Sequence, residues 1–375
     1  MKSKVLIVLM LVFGLMLVSC GSDSPAESDN SGSEESASVE SGDRVLRMLT
    51  WEGYAPEDLV NKFTEETGIE VEISYIGDNN ELIAKMAATH GVGYDLVSPT
   101  LSYVATAQED QGIYQPIDLS KVDTDQINES LDAILEGSTY EDEPYAIPFV
   151  WGTTAMIINT ELAPDAGVSY LDLCDPQYEG RVSYRSKYDT LYMFAYAMGL
   201  DPAEAVKDED EYRAVMDQVL EKLIECKPYV RVYWDSRQQM EELMNTEEIW
   251  LSSSWDAAAW SMSLDDSKFK YVVPDEGAVG WYDTLAISAG AEDIDAAYEW
   301  INFILSPENA SVIVNQTGYQ TASAGAADMA SAELATLVNE SLPSEKMGSI
   351  NWYFPKPDYA KDIEADVEEQ LKAAQ

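Results

Sequence analysis

Residues 44–68 read RVLRMLTWEGYAPEDLVNKFTEETG, and the fold turns on how this stretch divides. Residues 45–50 are a short, mostly apolar run that predicts a strand. Pro56 suits the first position of a helix, where its missing N–H is no loss. Glu57 and Asp58 then fall in the first turn, where the helix dipole favours acids. Leu59, Val60 and Phe63 face inward, and Gly68 ends the helix. Between strand and helix stand Trp51 and Tyr54, three apart around Gly53, with Glu52 beside the first ring. Turns ordinarily take small residues, so two rings here mark either a buried corner or a surface for a ligand.

The same alternation continues outward. Residues 71–76 predict a second strand. Asn80 then caps a helix carrying Leu82, Ile83, Met86 and Ala87, which Gly91 ends. Residues 94–97 predict a third strand, followed by Pro99 and a short helix. Further on, strands are expected at 155–159, 182–184, 230–233, 249–253, 271–273 and 284–289. Helices are expected near 190–198, 211–226, 294–305 and 307–317, and from 358 onward. Such alternation predicts an α/β fold with mainly parallel sheets flanked by helices. Ligands of open sheets bind at the carboxyl ends of the strands. Trp51 and Tyr54 follow the first strand, Thr100 to Tyr103 the third, and Trp255 the strand near 250; Trp281 is placed between two strands. A single ring is ordinary core material, but several at strand ends, each close to an acid, point to a cleft.

At 375 residues the chain is long enough for two domains, and 46% apolar residues supply a sizeable core. Acids number 69 and bases 22, for a net charge of −47. That charge repels nucleic acid. Its plain reading is a solvated acidic surface suited to salty surroundings. Lys2 and Lys4 precede an apolar run at 5–18, of signal-peptide length. Leu17-Val18-Ser19-Cys20 followed by Gly21 looks like a lipobox, with Cys20 as the lipidated residue. Residues 21–43 hold eight serines, seven acids and no base, and read as a disordered tether. The expectation is an extracytoplasmic or periplasmic protein anchored to a bacterial membrane. Cys174 and Cys226 remain, either as a disulfide or as two buried thiols. With one histidine, His90, and no C-x-x-C, neither a metal nor a cofactor is expected.

From residue 45 onward the chain resembles the bacterial extracellular solute-binding proteins of polyamine ABC transporters, the spermidine/putrescine type. The matching stretches fall in the family's order. They are Trp51-Glu52-Gly53-Tyr54, Phe63-Thr64-Glu65-Glu66-Thr67-Gly68, Tyr94-Asp95-Leu96-Val97, Pro148-Phe149-Val150-Trp151-Gly152-Thr153-Thr154, Trp281-Tyr282-Asp283-Thr284-Leu285-Ala286-Ile287 and Gly318-Tyr319. The resemblance implies a two-lobed periplasmic-binding-protein fold of type II with two hinge crossings. Residues 44–149 with 283–323 would form one lobe, and 154–277 with 330–375 the other. It implies that Trp51, Tyr54, Trp255, Trp281 and Tyr319 line the cleft and that Asp283 and Asp189 each pair with an amine. It also implies a permease partner, a monomer, and no catalytic residues. Thr100 falls beside this set, at the end of the third strand.

The chain departs from the family at three places. Where many members have two acids three apart, Ser186 precedes Asp189. Ser102 stands where an aromatic often follows the third strand, and Tyr353 where some members have a glutamine. Asp256 or Glu52 is then a candidate for the missing charge, and a shorter or singly charged amine fits the incomplete pattern. Aromatic faces attract ammonium groups and bury methylenes, and carboxylates fix ammonium spacing. Trp281 and Asp283, two apart, share one face of a straight strand. Alternatives are the same fold holding another small cation or a neutral solute, a ferric-ion site, an adhesin, or a glycan-acting enzyme. No G-x-S-x-G, H-E-x-x-H or P-loop occurs.

Overall fold

The computed structural model describes residues 44–128 and 130–374. Cys20, the signal segment and the tether lie outside the described residues. The first strand is Val45–Thr50 and the first helix Glu57–Thr67, with Gly68 in the left-handed conformation closing it. The next strand is Glu70–Tyr75 and the next helix Asn79–Thr89. Here Asp78, not Asn80, is the cap: its carboxylate accepts from the Glu81 N–H. Asn79 carries a different duty, described below.

The main sheet runs in the order Glu70–Tyr75, Val45–Thr50, Leu96–Val97, Val279–Ile287, Ile147–Asn159, Leu251–Trp255, Val182–Tyr184, Val230–Tyr233. Its two ends are parallel, as the alternation with helices requires. The two long strands in the middle are antiparallel and pair from Leu285 with Ile147 to Val279 with Thr154. They are the two crossings between the halves of the molecule.

Both crossings are longer than the sequence suggests. The first begins at Ile147 rather than 155, and the second begins at Val279, so Trp281 lies inside a strand rather than between strands. The reason is burial on both faces, which erases the period-two alternation that marks a half-exposed strand. Buried apolar side chains form one cluster drawn mainly from residues 46–150 and 281–322, with a smaller one around Leu49, Met86 and Tyr114 beside it. A third spans residues 155–279 and 310–371. Trp255 and Tyr353 are half-buried and pack against both large clusters. Within the third, Cys174 and Cys226 form a disulfide, with Cα atoms 4.7 Å apart.

Candidate functional site

The turn after the first strand is a buried corner that carries a candidate site residue, Tyr54. Gly53 takes φ 89°, open to glycine at no steric cost. This lets Trp51 and Tyr54 diverge. The Trp51 indole N–H donates to the Ser98 carbonyl at 2.8 Å, fixing the turn to the third strand. Tyr54 is buried, and its hydroxyl donates to Asp283 Oδ2 at 2.5 Å. Thr100 donates to the other oxygen, Oδ1, at 2.6 Å. Asn79 in turn donates to the Thr100 hydroxyl at 2.8 Å and accepts its backbone N–H. Two residues from separate parts of the chain thus hold one carboxylate, and a third, Asn79, orients one of them.

The backbone aims that carboxylate deliberately. The ladder between the crossings slips between Asp283 and Thr284, a bulge of the kind that re-aims a side chain. Asp283 forms an isolated bridge with Thr100 as well. Burial pushes its carboxyl up to about 6, against the two hydroxyl donors, which stabilise the ionised form. Around it the rings meet edge to face: Tyr54 with Tyr319 at 6.3 Å, Trp281 with Tyr319 at 5.2 Å, and Tyr54 with Phe149 at 5.5 Å.

Asp256 lies close to Trp281, across Gly152. A Cβ on Gly152 would meet the Trp281 ring at 2.6 Å and Asp256 Oδ1 at 3.0 Å, so this glycine leaves room for both. Asp256 is fully buried. It accepts from the Thr153 N–H at 2.6 Å, the Thr153 hydroxyl at 2.9 Å and the Ala257 N–H at 2.6 Å. Burial still lifts its carboxyl to about 7.

The opposite half supplies a different arrangement. Asp189 is buried, and Arg185 Nη1 lies 3.7 Å from its Oδ2: an ion pair too long to be a hydrogen bond. The guanidinium packs over Trp255 at 4.9 Å and Trp234 at 5.4 Å. Arg185 Nε, Ser186 Oγ, Asp189 Oδ2 and the Trp281 indole nitrogen are buried and have no hydrogen-bond partner among the described residues. Ser102 Oγ is in the same state, and with Thr100 and Tyr353 it lines a cavity of about 260 Å³. Glu52 is exposed and does not join the cluster.

The matching family model, the bacterial extracellular solute-binding protein, spans residues 58–339. The chain is 30% identical over 307 residues to the spermidine/putrescine-binding periplasmic protein of Escherichia coli, covering 80% of this chain and 84% of that one. The chain belongs to the bacterial extracellular solute-binding proteins. A second relative is the putrescine-binding periplasmic protein of Pseudomonas aeruginosa, 28% identical over 300 residues, with 77% and 81% covered. A spermidine/putrescine transporter structure from Listeria monocytogenes superposes with a TM-score of 0.78 at 22% identity, over 88% of this chain and all of that one. The fold of this solute-binding protein is therefore the two-lobed type II form.

Sequence reading missed several residues around the solute-binding cleft. Asn79 was passed over beside Asn80, the expected cap, and Thr153 entered only as part of the stretch 148–154 shared with the family. Arg185 had one legible signal, its i, i+4 spacing to Asp189. Lys356 had none. It is fully buried, its Nζ 2.8 Å from Glu364 Oε2 and 3.5 Å from the centre of the Tyr188 ring.

Proposed function

We propose that this solute-binding protein captures a small polyamine-class cation and delivers it to the permease of an ABC importer. The observation that carries the reading is the Asp283 carboxylate. It is buried, its two oxygens accept only from neutral hydroxyls, and Tyr54, Trp281 and Tyr319 surround it. No cation of the protein pairs with it among the described residues. Burying an ionised carboxylate without a counter-charge is costly, and a ligand ammonium supplies that charge. The rings beside it cover methylenes and add cation–π attraction of about 0.5–2 kcal/mol each. The relatives' own names, spermidine/putrescine-binding and putrescine-binding, support the ligand class.

In this reading Asp283 takes an ammonium, Tyr54, Trp281, Tyr319 and Trp255 wall the ligand, and Asp256 adds negative potential behind Trp281. Thr100, Ser102 and Tyr353 close one side, and Asp189 belongs to the far wall. Residues 44–149 with 283–323 are the first lobe and 154–277 with 330–375 the second, closing as a hinge. The protein acts without turnover, as a monomer, outside the cytoplasmic membrane and held by a lipid on Cys20. Calorimetry of the purified chain against diamines, triamines, choline-like cations and neutral sugars tests the reading. Amines are expected to bind and sugars to give no heat; a sugar that binds better than every amine overturns it.

A further inference from the structure

Two of the protein's own cations stand at the far end of the cleft. The Arg185 guanidinium lies against Trp255 and Trp234 and pairs with Asp189. Lys356 sits with its ammonium 3.5 Å from the Tyr188 ring centre, 5.1 Å from Tyr192, 5.3 Å from Tyr103 and 6.0 Å from Tyr353, and pairs with Glu364. Glu364 is held in turn by the hydroxyls of Tyr192 at 2.5 Å and Tyr212 at 2.6 Å. Rings above a cation and a buried carboxylate beside it are what an ammonium ligand requires. Here the occupants are side chains.

The two ends of the cleft therefore differ in charge before any ligand arrives. At the near end Asp283 meets only hydroxyls. At the far end the Asp189 charge is already balanced. Trp255, over whose ring the Arg185 guanidinium lies, packs against the cluster that holds Tyr54 and Trp281, as Tyr319 does, and Tyr319 is influenced by Arg237, Asp283 and Arg185 alike. The guanidinium and the near carboxylate thus flank one space. An ammonium advancing from Asp283 toward Asp189 runs into a fixed positive charge where little water screens it.

We infer that Arg185 is a built-in counter-charge that fills the second amine subsite and restricts the cleft to short amines, rejecting triamines. This rests on the amine reading of the cleft given above. Within that reading, Arg185 is the residue that sets ligand length. Its charge does so by repulsion and its bulk by occupying the faces of Trp255 and Trp234.

Calorimetric titration of the full chain with 1,3-diaminopropane, 1,4-diaminobutane and spermidine decides the matter. The wild-type protein is expected to bind 1,4-diaminobutane at least tenfold more tightly than spermidine. Arg185→Gln, which removes the charge, should bring the two within about threefold by strengthening spermidine binding. Arg185→Lys, which keeps the charge, should retain the wild-type preference. Should Arg185→Gln fail to fold, Arg185→Met keeps an apolar stem against the two indoles and makes the same test. Equal wild-type affinity for spermidine and the diamine overturns the role of Arg185 and leaves the amine cleft standing, as does an unchanged ratio in the charge-removed variant. Absence of binding by every amine overturns both.

Discussion

A single carboxylate carries most of the chemistry at the residue scale. Asp283 is buried and accepts two hydrogen bonds, yet burial outweighs them and holds its carboxyl near 6. Two consequences have opposite signs. Ligand binding needs the ionised form, so amine affinity should be level above about pH 7 and fall as pH drops below about 6. Ligand-free stability should move the other way. A carboxyl raised above its unfolded value holds a proton that the unfolded chain has released, so acidification from pH 7 toward 5 favours the folded state. The ionised form costs on the order of 3 kcal/mol at neutral pH, taking each pH unit of displacement as about 1.4 kcal/mol. Asp283→Asn should therefore weaken amine binding by about 2–5 kcal/mol, as for one half of a buried pair. The same variant should reduce the pH dependence of ligand-free thermal stability between pH 5 and 6, the remainder coming from Asp256. Unchanged binding in Asp283→Asn would remove this residue from the site. Gly152 gives a second test: Gly152→Ala drives a methyl into the Trp281 ring and Asp256, and calorimetry should read at least a tenfold loss of amine affinity.

Elements matter here for what they bring into register. The second crossing strand carries Trp281 and Asp283 on one face, and the bulge immediately after Asp283 brings the carboxylate to Thr100. The helix from Asn79 to Thr89 contributes through its first residue, which orients Thr100. On the far side, the helix Tyr188–Ala197 begins at the cleft wall and places Asp189 in its first turn, one turn from Arg185. The disulfide works away from the site. It joins the short turn Tyr170–Cys174 to the end of the helix Glu209–Cys226, closing a loop of 52 residues. In the chain-entropy account such a closure is worth about 4 kcal/mol. Cys226→Ser should lower the thermal midpoint by several degrees while amine affinity stays within twofold. A binding loss as large as the stability loss would mean the bridge also shapes the cleft.

For the whole molecule, charge and attachment dominate. The net charge of −47 draws cations toward the surface from any direction, and salt screens that attraction. Association with an amine should therefore slow as salt rises, whereas the affinity of the bound state should fall less, because burial shields Asp283. Stopped-flow rates at two ionic strengths would separate the two effects. The proposed attachment rests on Leu17-Val18-Ser19-Cys20. Cys20→Ala should yield a protein without lipid mass that is released from the membrane fraction, with amine binding unaltered. A wild-type product of unlipidated mass would end the anchor proposal.

Much was written in local sequence. Val45–Thr50, the proline-opened helix after it and the pair of helices meeting at Ser306-Pro307 are each specified by neighbours within a few residues, through caps, dipole and period. The candidate site residues were named in two ways, Tyr54 from its place after the first strand, and Trp281, Asp283 and Tyr319 from the stretches they share with a family. Their partners were not. Asn79, Thr100 and Asp283 meet from positions up to 204 residues apart in the numbering, and only the antiparallel pairing of the second crossing with the strand Leu96–Val97 brings them together. The length of those crossings was hidden because burial on both faces leaves no alternation to read. The burial of Arg185 and Lys356 was hidden for a different reason. An isolated basic residue in an acidic chain reads as solvated surface, and only packing reveals that each is buried against tyrosine or tryptophan rings beside a carboxylate. Local sequence fixes which elements form, through forces that act over a turn or a strand. Which charges those elements bury together depends on contacts distant in sequence, and so the tertiary structure alone decides it.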